Sequence, residues 1–594
     1  MYVIKGGIYL KKLLVYLKDY IKESILGPLF KLLEALFELF VPLVIAAIID
    51  TGIENGDTGY IIKMCLVLVL LGFVGLAFSI TAQYFAAKAS VGFVSKIRHV
   101  LFGHIQSLSY SELDQIGTST LITRMTSDMN QVQNGMNLAL RLLLRSPFVV
   151  FGAMIMAFTI DVPSAMIFVY VTIVLLIVVF GIMLGSIPLY KKVQQKLDAV
   201  MTVTRENLTG VRVIRAFCKE DEETDDFINK NNELTASQKF VGKISALMNP
   251  VTYVIINLAI IWLIHTGAVR VEAGILTQGA VVALYNYMSQ ILVELIKLAN
   301  LIINITKSIA CGNRIQAVLD IKPDLESENS SCNEGSVEFD HVNLRYKNAG
   351  ADSLSDITFT AAKGETIGII GGTGSGKSSL VNLIPRFYDA ASGEVKVGGV
   401  NVKDMDVEQL REKIGVVPQK AVLFHGTIRE NMQWGVTNAS DDEIMEAIEA
   451  AQGLDVIKAK GGLDCEIEQG GKNLSGGQRQ RLTIARALVK KPEILILDDS
   501  ASALDFATDA ALRKSLNRLD WKVTTFLVSQ RSSSIQQADL ILVLDNGTLA
   551  GKGTHAELLR TCDTYREIYF SQFPEERARY SSVSAGNIMK EVTV

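Results

Sequence analysis

The stretch TIGIIGGTGSGKSS, residues 366–379, decides the fold of the second half of this chain. Residues 366–370 are apolar and predict a strand, and residues 380–384 predict a helix. The glycines between them let backbone N–H groups wrap phosphates, while Lys377 reaches the terminal phosphates and Ser378 holds Mg²⁺. The predicted phosphate-binding residues are Gly371, Gly372, Thr373, Gly374, Ser375, Gly376, Lys377, Ser378 and Ser379. This order of elements predicts a site for ATP with Mg²⁺.

Apolar runs alternate with helical segments throughout residues 336–573, which predicts an α/β domain on a largely parallel sheet. One of these runs, Ile494–Leu497, ends at Asp498. Ligands of such sheets bind at the carboxyl ends of the strands. Asp498 is therefore assigned to Mg²⁺.

The first half of the chain has the composition of a membrane domain. The 594 residues are 49% hydrophobic, and a stretch of about 20 apolar residues can cross a bilayer. Six such stretches are predicted within residues 1–320: 24–49, 60–87, 138–160, 162–189, 244–268 and 273–305. The third is the weakest, because Arg141 and Arg145 shorten its uncharged part.

The connections between these stretches indicate orientation. The long ones, residues 88–137 and 190–243, are rich in Lys and Arg, which places them in the cytoplasm. Their helical apolar spacing predicts membrane helices that continue into the cytosol. A linker at 321–335 and a polar tail at 574–594 are predicted. The N-terminus has no secretory cleavage pattern, so the N-terminus and the second domain are both expected on the cytoplasmic side.

Two classes of site are excluded by composition. The net charge of -4 is spread over both halves, so no nucleic-acid partner is expected. The cysteines lie far apart, without the spacing of a metal site. They are Cys65, Cys218, Cys311, Cys332, Cys465 and Cys562.

Further motifs resemble those of ATP-binding cassette (ABC) transporters, and with the six apolar stretches this resemblance covers nearly the whole chain. Leu474–Gln478 resembles the signature motif, Ile494–Asp498 the Walker B strand and Ser502–Asp505 the D-loop. Tyr346 fits the residue that stacks on adenine, and Gln419 fits the Q-loop residue, which contacts Mg²⁺ and takes part in hydrolysis. The resemblance implies an exporter-type half-transporter with a six-helix all-α membrane domain followed by a P-loop ATPase cassette.

In this family two cassettes enclose two ATP molecules, so the resemblance implies a second half-transporter as partner. The signature of each subunit contacts the ATP bound by the other. Here that assigns Ser475, Gly476, Gly477, Gln478 and the D-loop residue Asp505 to the partner's nucleotide.

The chain departs from the family at two catalytic positions. The family places Glu after the Walker B strand and His in the switch loop, whereas this sequence has Asp499 and Gln530. Because Asp is one methylene shorter than Glu, the carboxylate of Asp499 lies about 1.5 Å further back. A misplacement of about 1 Å can lower a catalytic rate on the order of 100-fold. Gln530 can bond to phosphate but cannot exchange a proton near neutral pH. The sequence therefore predicts binding without efficient turnover.

This pattern resembles the degenerate subunit of bacterial heterodimeric multidrug exporters. We expect Asp499 and Gln530 to weaken this chain's own site while its intact signature completes a competent site on the partner. Two alternatives stay open: a homodimeric exporter of lipid or peptide that hydrolyses slowly through Asp499, and a regulatory or channel-like protein gated by ATP. The expected location is a bacterial plasma membrane.

The transport path is less defined by the sequence. Residues 117–124 and 206–217 resemble exporter segments around the helices that dock on the cassettes. Lys31, Glu34 and Glu38 share one face of the first span, and Glu294 and Lys297 share one face of the sixth. Ionisable groups at bilayer depth usually face a bundle interior or a water-filled cavity. Glu34, Glu38, Glu294 and Lys297 either line the path of a hydrophobic or amphipathic substrate, or they only pair between helices or lie at the cytosolic end of their spans, where the cost is small.

Overall fold

A computed structural model describes residues 12–322, 335–347 and 349–577. Most of the predicted linker and residues 578–594 of the predicted tail lie outside this range, as does Cys332. The chain divides into two compact units: Met1–Gln106 with Thr118–Ile321, and Ser107–Gly117 with Lys322–Val594. The boundary differs from the predicted one because the short segment Ser107–Gly117 belongs to the second unit.

The described residues of the first unit form helices and their connections, without strands. Its α-helices are Ile21–Ala47, Thr58–Ser107, Thr118–Thr123, Met129–Leu142, Arg145–Ile160, Val162–Ala216, Glu220–Ala246, Met248–Glu272 and Gln278–Leu319. A 3₁₀ helix, Leu14–Tyr20, precedes them, and turns of π-helix lie at Ile48–Ile53 and Arg124–Asp128.

Six helical stretches in the described part of the chain are long and apolar enough to cross a membrane. They are Leu14–Ile53, Thr58–Ser107, Thr118–Ile160, Val162–Ala216, Glu220–Glu272 and Gln278–Leu319. The prediction of six is confirmed. A helix of 55 residues such as Val162–Ala216 is about 80 Å long. Since the hydrocarbon core is about 30 Å thick, much of that helix extends beyond the bilayer.

One predicted boundary is wrong. Residues 269–272 were expected to connect the fifth and sixth spans, but the fifth helix continues to Glu272 and the sixth begins only at Gln278. Gly274 turns the chain with a φ of 72°, and the Thr277 side chain caps the next helix by accepting from the Ala280 N–H at 3.3 Å. The signals that set this boundary are therefore a left-handed glycine and an N-cap.

An ionic cluster with a buried centre at Arg145 and Glu294 joins three of these helices. The Arg145 guanidinium donates to Glu294 at 2.5 Å and to Glu38 at 2.6 Å. Glu294 also accepts from Ser146 at 2.9 Å and from Lys297 at 2.9 Å. We call these five residues the Arg145 network. Arg145, which weakened the third span in the sequence, is thus the residue that connects the first, third and sixth spans.

Arg145→Ala is expected to lower the free energy of unfolding of the detergent-solubilised chain by about 3–5 kcal/mol, because it leaves the buried Glu294 carboxylate without its main counter-charge. Denaturant titration in micelles measures this. Arg145→Met combined with Glu294→Gln should recover most of the loss, and Arg98→Ala, at an exposed position, should change little. Equal losses for Arg145→Ala and Arg98→Ala would contradict the assignment.

The described residues of the second unit form three sheets. The strands are β1 Val337–Leu344, β2 Leu354–Ala361, β3 Thr366–Gly371, β4 Ser392–Val397, β5 Val400–Asn401, β6 Ile414–Val417, β7 Gly426–Thr427, β8 Glu466–Ile467, β9 Ile494–Asp498, β10 Thr524–Val528, β11 Leu540–Asp545 and β12 Thr548–Gly553. The six-stranded sheet has the order β12-β11-β3-β10-β9-β6 and is parallel except for β12. A four-stranded antiparallel sheet, β2-β1-β4-β5, and the β7-β8 pair complete the set.

The second unit also contains α-helices. They are Tyr110–Ile116, Lys377–Val381, Val407–Glu412, Ile428–Gln433, Asp441–Ala450, Leu454–Lys460, Gly476–Val489, Phe506–Leu516, Ser532–Ile535, His555–Thr561 and Asp563–Gln572. One apolar core lies between the two large sheets and the other between the six-stranded sheet and the helices. The α/β cassette fold predicted from the sequence is confirmed.

The register of three adjacent strands gathers the functional loops. In β10, Val528 pairs with Asp498 at the end of β9 and with Ile369 near the end of β3. Because the three strands are parallel, the loops that follow them start from one edge of the sheet. This edge carries the candidate site.

Candidate nucleotide site

A cavity of about 650 Å³ lies at the carboxyl edge of the six-stranded sheet. That volume is within the range of about 300–1,000 Å³ common for small-molecule sites. The predicted residues that line it are Thr373, Gly374, Gly376, Lys377, Ser378, Ser379, Gln419, Asp498, Asp499 and Gln530. The fold thus brings the glycine-rich loop, the Q-loop residue and both departures from the family pattern into one pocket.

The glycine-rich loop requires glycine at Gly376, where φ is 95° and an added Cβ would lie 2.9 Å from the Ser353 carbonyl oxygen. Lys377 folds back on the loop and donates to the carbonyl oxygens of Gly371 and Gly372 at 2.9 and 2.6 Å. Burial lowers the pKa of Lys377, opposed by the nearby carboxylates. The helix that follows runs from Lys377 to Val381, so it begins and ends three residues earlier than predicted.

The magnesium assignment can be tested against the donor atoms. The Ser378 hydroxyl donates to an Asp498 carboxylate oxygen at 3.0 Å, and Asp498 is only 8% exposed. Burial is the main cause that raises the pKa of Asp498. A hydroxyl and a buried carboxylate are oxygen ligands of the kind Mg²⁺ prefers with phosphate. These residues fit the ion, which would supply charge neutralisation at the terminal phosphates.

Asp499 occupies a defined but unusual backbone position. Its φ is 47°, a left-handed conformation that Asp tolerates better than longer side chains do. Its N–H donates to the Val528 carbonyl at 3.0 Å, and its own carbonyl accepts from the Ser502 hydroxyl at 2.8 Å. The Gln419 amide approaches its carboxylate at 3.4 Å. Burial raises the pKa of Asp499, and Gln419 is the strongest opposing influence.

Gln530 faces the cavity from the end of β10 and is exposed. Its backbone carbonyl accepts from the Gln572 amide at 2.8 Å. The next residue, Arg531, turns away: it donates to the Leu504 carbonyl at 3.0 Å and lies 4.8 Å from the ring centre of Phe506. Gln530 is therefore the switch-loop side chain that reaches the pocket.

Tyr346 is not among the residues that line the cavity. Its hydroxyl donates to Ser379 at 2.9 Å, and its ring meets Tyr388 nearly perpendicularly at 5.0 Å. The loop that begins at Tyr346 does reach the cavity, through residues 349 and 351–353. Stacking of Tyr346 on adenine stays a prediction.

Sequence reasoning missed one wall of the cavity. Asn546 and Gly547 form the turn between β11 and β12, with φ values of 46° and 81°. The Gly547 N–H donates to the Ser375 carbonyl at 3.3 Å, so this turn supports the glycine-rich loop. The Asn-Gly pair between two apolar runs is the signal of a tight hairpin.

The signature residues lie elsewhere. Ser475 caps the helix Gly476–Val489 in a capping box with Gln478, and none of residues 474–478 lines the cavity. Asp505 caps the next helix, accepts from the Thr508 N–H at 2.7 Å and is exposed. The described chain thus separates its own phosphate loop from its signature and D-loop.

The docking segment predicted near residues 117–124 begins at a helix boundary. Gly117, with φ of 77°, ends the helix Tyr110–Ile116, which belongs to the cassette unit. Residues 206–216 form the end of the helix Val162–Ala216, and the C-cap residue Phe217 is 73% exposed. The helix that contacts the cassette therefore lies immediately before the first predicted segment.

Comparisons with known proteins agree with this architecture. The profile of the ABC transporter transmembrane region matches residues 24–295, and the ABC transporter profile matches residues 354–502. An uncharacterised ABC transporter ATP-binding protein of Bacillus subtilis, YfiB, is 38% identical over 96% of this chain and 99% of its own length. The ATP-dependent lipid A-core flippase of Vibrio vulnificus is 26% identical over 95% and 98%.

A solved structure shares the fold. The structure of a bacterial Atm1-family ABC exporter with ATP bound aligns with a TM-score of 0.78 at 24% identity, covering 94% of this chain and 98% of the other. The glycine-rich loop, the Walker B carboxylate and the six apolar helices occur in one polypeptide, and both halves match the corresponding family profiles. The chain therefore belongs to the ABC transporter family, with the transmembrane region and the ATP-binding cassette on a single polypeptide.

Proposed function

We propose that this chain is one subunit of a heterodimeric ABC exporter in a bacterial plasma membrane, with its cassette in the cytoplasm. It binds Mg²⁺ and ATP at Lys377, Ser378 and Asp498 but turns this ATP over slowly. Its signature residues complete a faster site on a second half-transporter that carries Glu after Walker B and a switch His.

The observation that carries this proposal is that Asp499 and Gln530 line the same cavity as the phosphate loop. Both departures thus affect one site. The signature residues lie outside that cavity and are exposed at Ser475 and Gly476, as a motif that serves another subunit's ATP must be. Random substitution would not be expected to change both catalytic residues of one site and leave the signature motif intact.

The proposal is tested by comparing the chain alone with the assembly that it forms. A tag on this chain should recover a second ABC half-transporter from native membranes in mild detergent, identified by mass spectrometry. The recovered assembly should hydrolyse ATP, and the chain purified alone should hydrolyse little. Brisk turnover by a homodimer, insensitive to Asp499→Ala, would contradict the proposal.

For the substrate, we propose a hydrophobic or amphipathic compound that contacts a cavity of about 300 Å³ in the first unit. The cavity is lined by Glu38, Glu294 and Lys297 beside apolar side chains such as Val41 and Val293. The Glu294 carboxylate already accepts hydrogen bonds from Arg145, Ser146 and Lys297. The side chains of Glu38 and Lys297 are 43% and 46% exposed. A mixed apolar and charged lining suits a molecule with a polar head and an apolar body.

Glu34 does not belong to this group. It pairs with Lys31 at 2.8 Å, and Lys31 also donates to Ser79 at 3.3 Å. Neither residue lines the cavity. We keep the role in the substrate path for Glu38, Glu294 and Lys297. For Lys31 and Glu34 we propose a structural role, because they pair within the first span and Lys31 also donates to Ser79 of the second span.

Lys297→Gln is expected to lower the apparent affinity for anionic or zwitterionic amphiphiles by about tenfold, as the loss of one charge-assisted hydrogen bond of roughly 1.5 kcal/mol would do. Basal ATPase of the assembly should stay unchanged. Substrate-stimulated ATPase and flux into inverted vesicles measure the effect. Lys307→Gln, at an exposed position of the same helix, is the matched control. Equal behaviour of the two variants toward every amphiphile would remove Lys297 from the path.

A further inference from the structure

The helix Asp563–Gln572 ends in a side chain that bridges the switch loop around Gln530. The Gln572 Nε2 donates to the Gln530 carbonyl oxygen at 2.8 Å, and the Gln572 Oε1 accepts from the Ser532 N–H, also at 2.8 Å. One amide therefore binds the main chain on both sides of Arg531. These two bonds together set the distance between residues 530 and 532.

The main chain before Gln530 is held by the six-stranded sheet. The strand β10 ends at Val528, and the next N–H, of Ser529, donates to the Ile369 carbonyl oxygen in β3 at 3.1 Å. The Arg531 N–H donates back to the Ser529 hydroxyl at 3.0 Å. Gln530 is therefore anchored to the sheet on its N-terminal side and to Gln572 on its C-terminal side.

The helix that carries Gln572 has a fixed position of its own. Tyr565 is fully buried, and its hydroxyl lies 2.8 Å from the His555 Nδ1. The Tyr569 hydroxyl accepts from the Gln536 amide at 3.0 Å and donates to the Glu576 carboxylate at 2.6 Å. Gln536 directly follows the short helix Ser532–Ile535. The helix therefore holds the segment 530–536 near both of its ends.

The position of this segment determines what the Gln530 side chain can reach. That side chain lines the nucleotide cavity together with Lys377 and Ser378. A hydrogen bond to a phosphate oxygen needs a donor within about 3 Å, and the loss of side-chain freedom opposes such a contact for a long residue such as glutamine. A main chain that is fixed on both sides limits the positions open to the Gln530 amide. The bonds from Gln572 therefore favour a defined contact with a phosphate in the cavity.

We propose that Gln572 is a positioning residue: it holds the switch loop so that the Gln530 amide contacts the terminal phosphate of bound ATP. Gln572 thereby contributes to the preference of this pocket for ATP over ADP, although it does not line the cavity itself. The inference rests on the proposed function only in that this pocket binds ATP. Neither slow turnover nor a second subunit is required for it.

The test is the affinity of the full-length chain in nanodiscs for two nucleotides, each with Mg²⁺, measured by calorimetry. They are the non-hydrolysable analogue adenylyl imidodiphosphate and ADP, which lacks the terminal phosphate. Gln572→Met keeps the length of the side chain and removes both hydrogen bonds. It should weaken binding of the analogue by about fivefold, the effect of one hydrogen bond, and change binding of ADP by less than about twofold.

A double substitution separates positioning from a general structural effect. Gln530→Ala alone should weaken binding of the analogue as Gln572→Met does, and the two together should do little more, because Gln572 acts through Gln530. Gln572→Glu keeps the acceptor for the Ser532 N–H and loses the donor to Gln530, so it should resemble Gln572→Met. Glu567→Met, at an exposed position of the same helix, is the matched control and should bind both nucleotides as the wild type does.

Three results would overturn the inference while the pocket still binds the analogue. The first is wild-type affinity for the analogue in Gln572→Met and Gln572→Glu. The second is an equal loss of affinity for the analogue and ADP in both variants. The third is full additivity of Gln572→Met with Gln530→Ala. Failure of the wild type to bind the analogue at all would overturn the proposed function together with this inference.

Discussion

Asp499→Glu combined with Gln530→His is expected to raise the ATPase rate of the purified chain by about 100-fold. Glu extends the carboxylate by about 1.5 Å, and a shift of about 1 Å at a reacting group changes rates on the order of 100-fold. His restores a side chain that can exchange a proton near neutral pH. Steady-state phosphate release in detergent or nanodiscs measures the gain.

Two controls separate this from a general effect. Each single substitution should recover only part of the rate, since water orientation and phosphate contact are distinct functions. Adding Lys377→Ala to the pair should abolish the gain. Asp499 has a φ of 47°, where a longer side chain costs about 1 kcal/mol, so thermal stability should fall slightly. An unchanged rate in a folded double variant that binds ATP would mean that Asp499 and Gln530 do not limit this site.

Gly476→Asp is expected to reduce ATP hydrolysis by the assembly recovered from membranes by about 100-fold or more. An added Cβ at Gly476 meets no atom within 4 Å, so the side chain fits without disturbing the helix Gly476–Val489. The new carboxylate would face the phosphates of the partner's ATP, and such like-charge contact costs several kcal/mol. ATP binding at the chain's own pocket should remain.

Gly476→Asn is the matched control, because it has nearly the same shape without the charge. It should retain much more activity than Gly476→Asp. If both variants hydrolyse ATP at the wild-type rate, the signature of this chain does not serve the productive site. If Gly476→Asp instead abolishes binding at the chain's own pocket, the separation of signature and pocket within the chain is wrong.

Much of this architecture could be predicted because it follows from local patterns. The glycine-rich loop at 371–378 and the apolar run ending at Asp498 specify strand, loop and chemistry together. The first five predicted apolar stretches fall entirely within long helical stretches, and the sixth overlaps Gln278–Leu319. The predicted start of the sixth span was wrong, because residues in a turn determine it. The sixth span begins at Gln278 because Gly274 and Thr277 end one helix and cap the next.

Long-range contacts could not be predicted in this way. In the sequence, Arg145 only weakens the third apolar stretch. In the structure it pairs with Glu38 and Glu294, which lie 107 and 149 residues away along the chain. Tyr388 carried no motif, and its contact with Asp114 spans 274 residues. Such pairs depend on how helices and loops meet in three dimensions, and no spacing within one segment reports them.

In the proposed heterodimer this chain holds ATP while its partner hydrolyses it. The most direct measurement is the identity of the nucleotide at each pocket during steady turnover, using a radiolabelled photoreactive ATP, rapid crosslinking and separation of the two subunits. We expect mainly intact ATP on this chain, retained over many turnovers, and ADP on the partner. ADP appearing on this chain at the rate of overall turnover would contradict it.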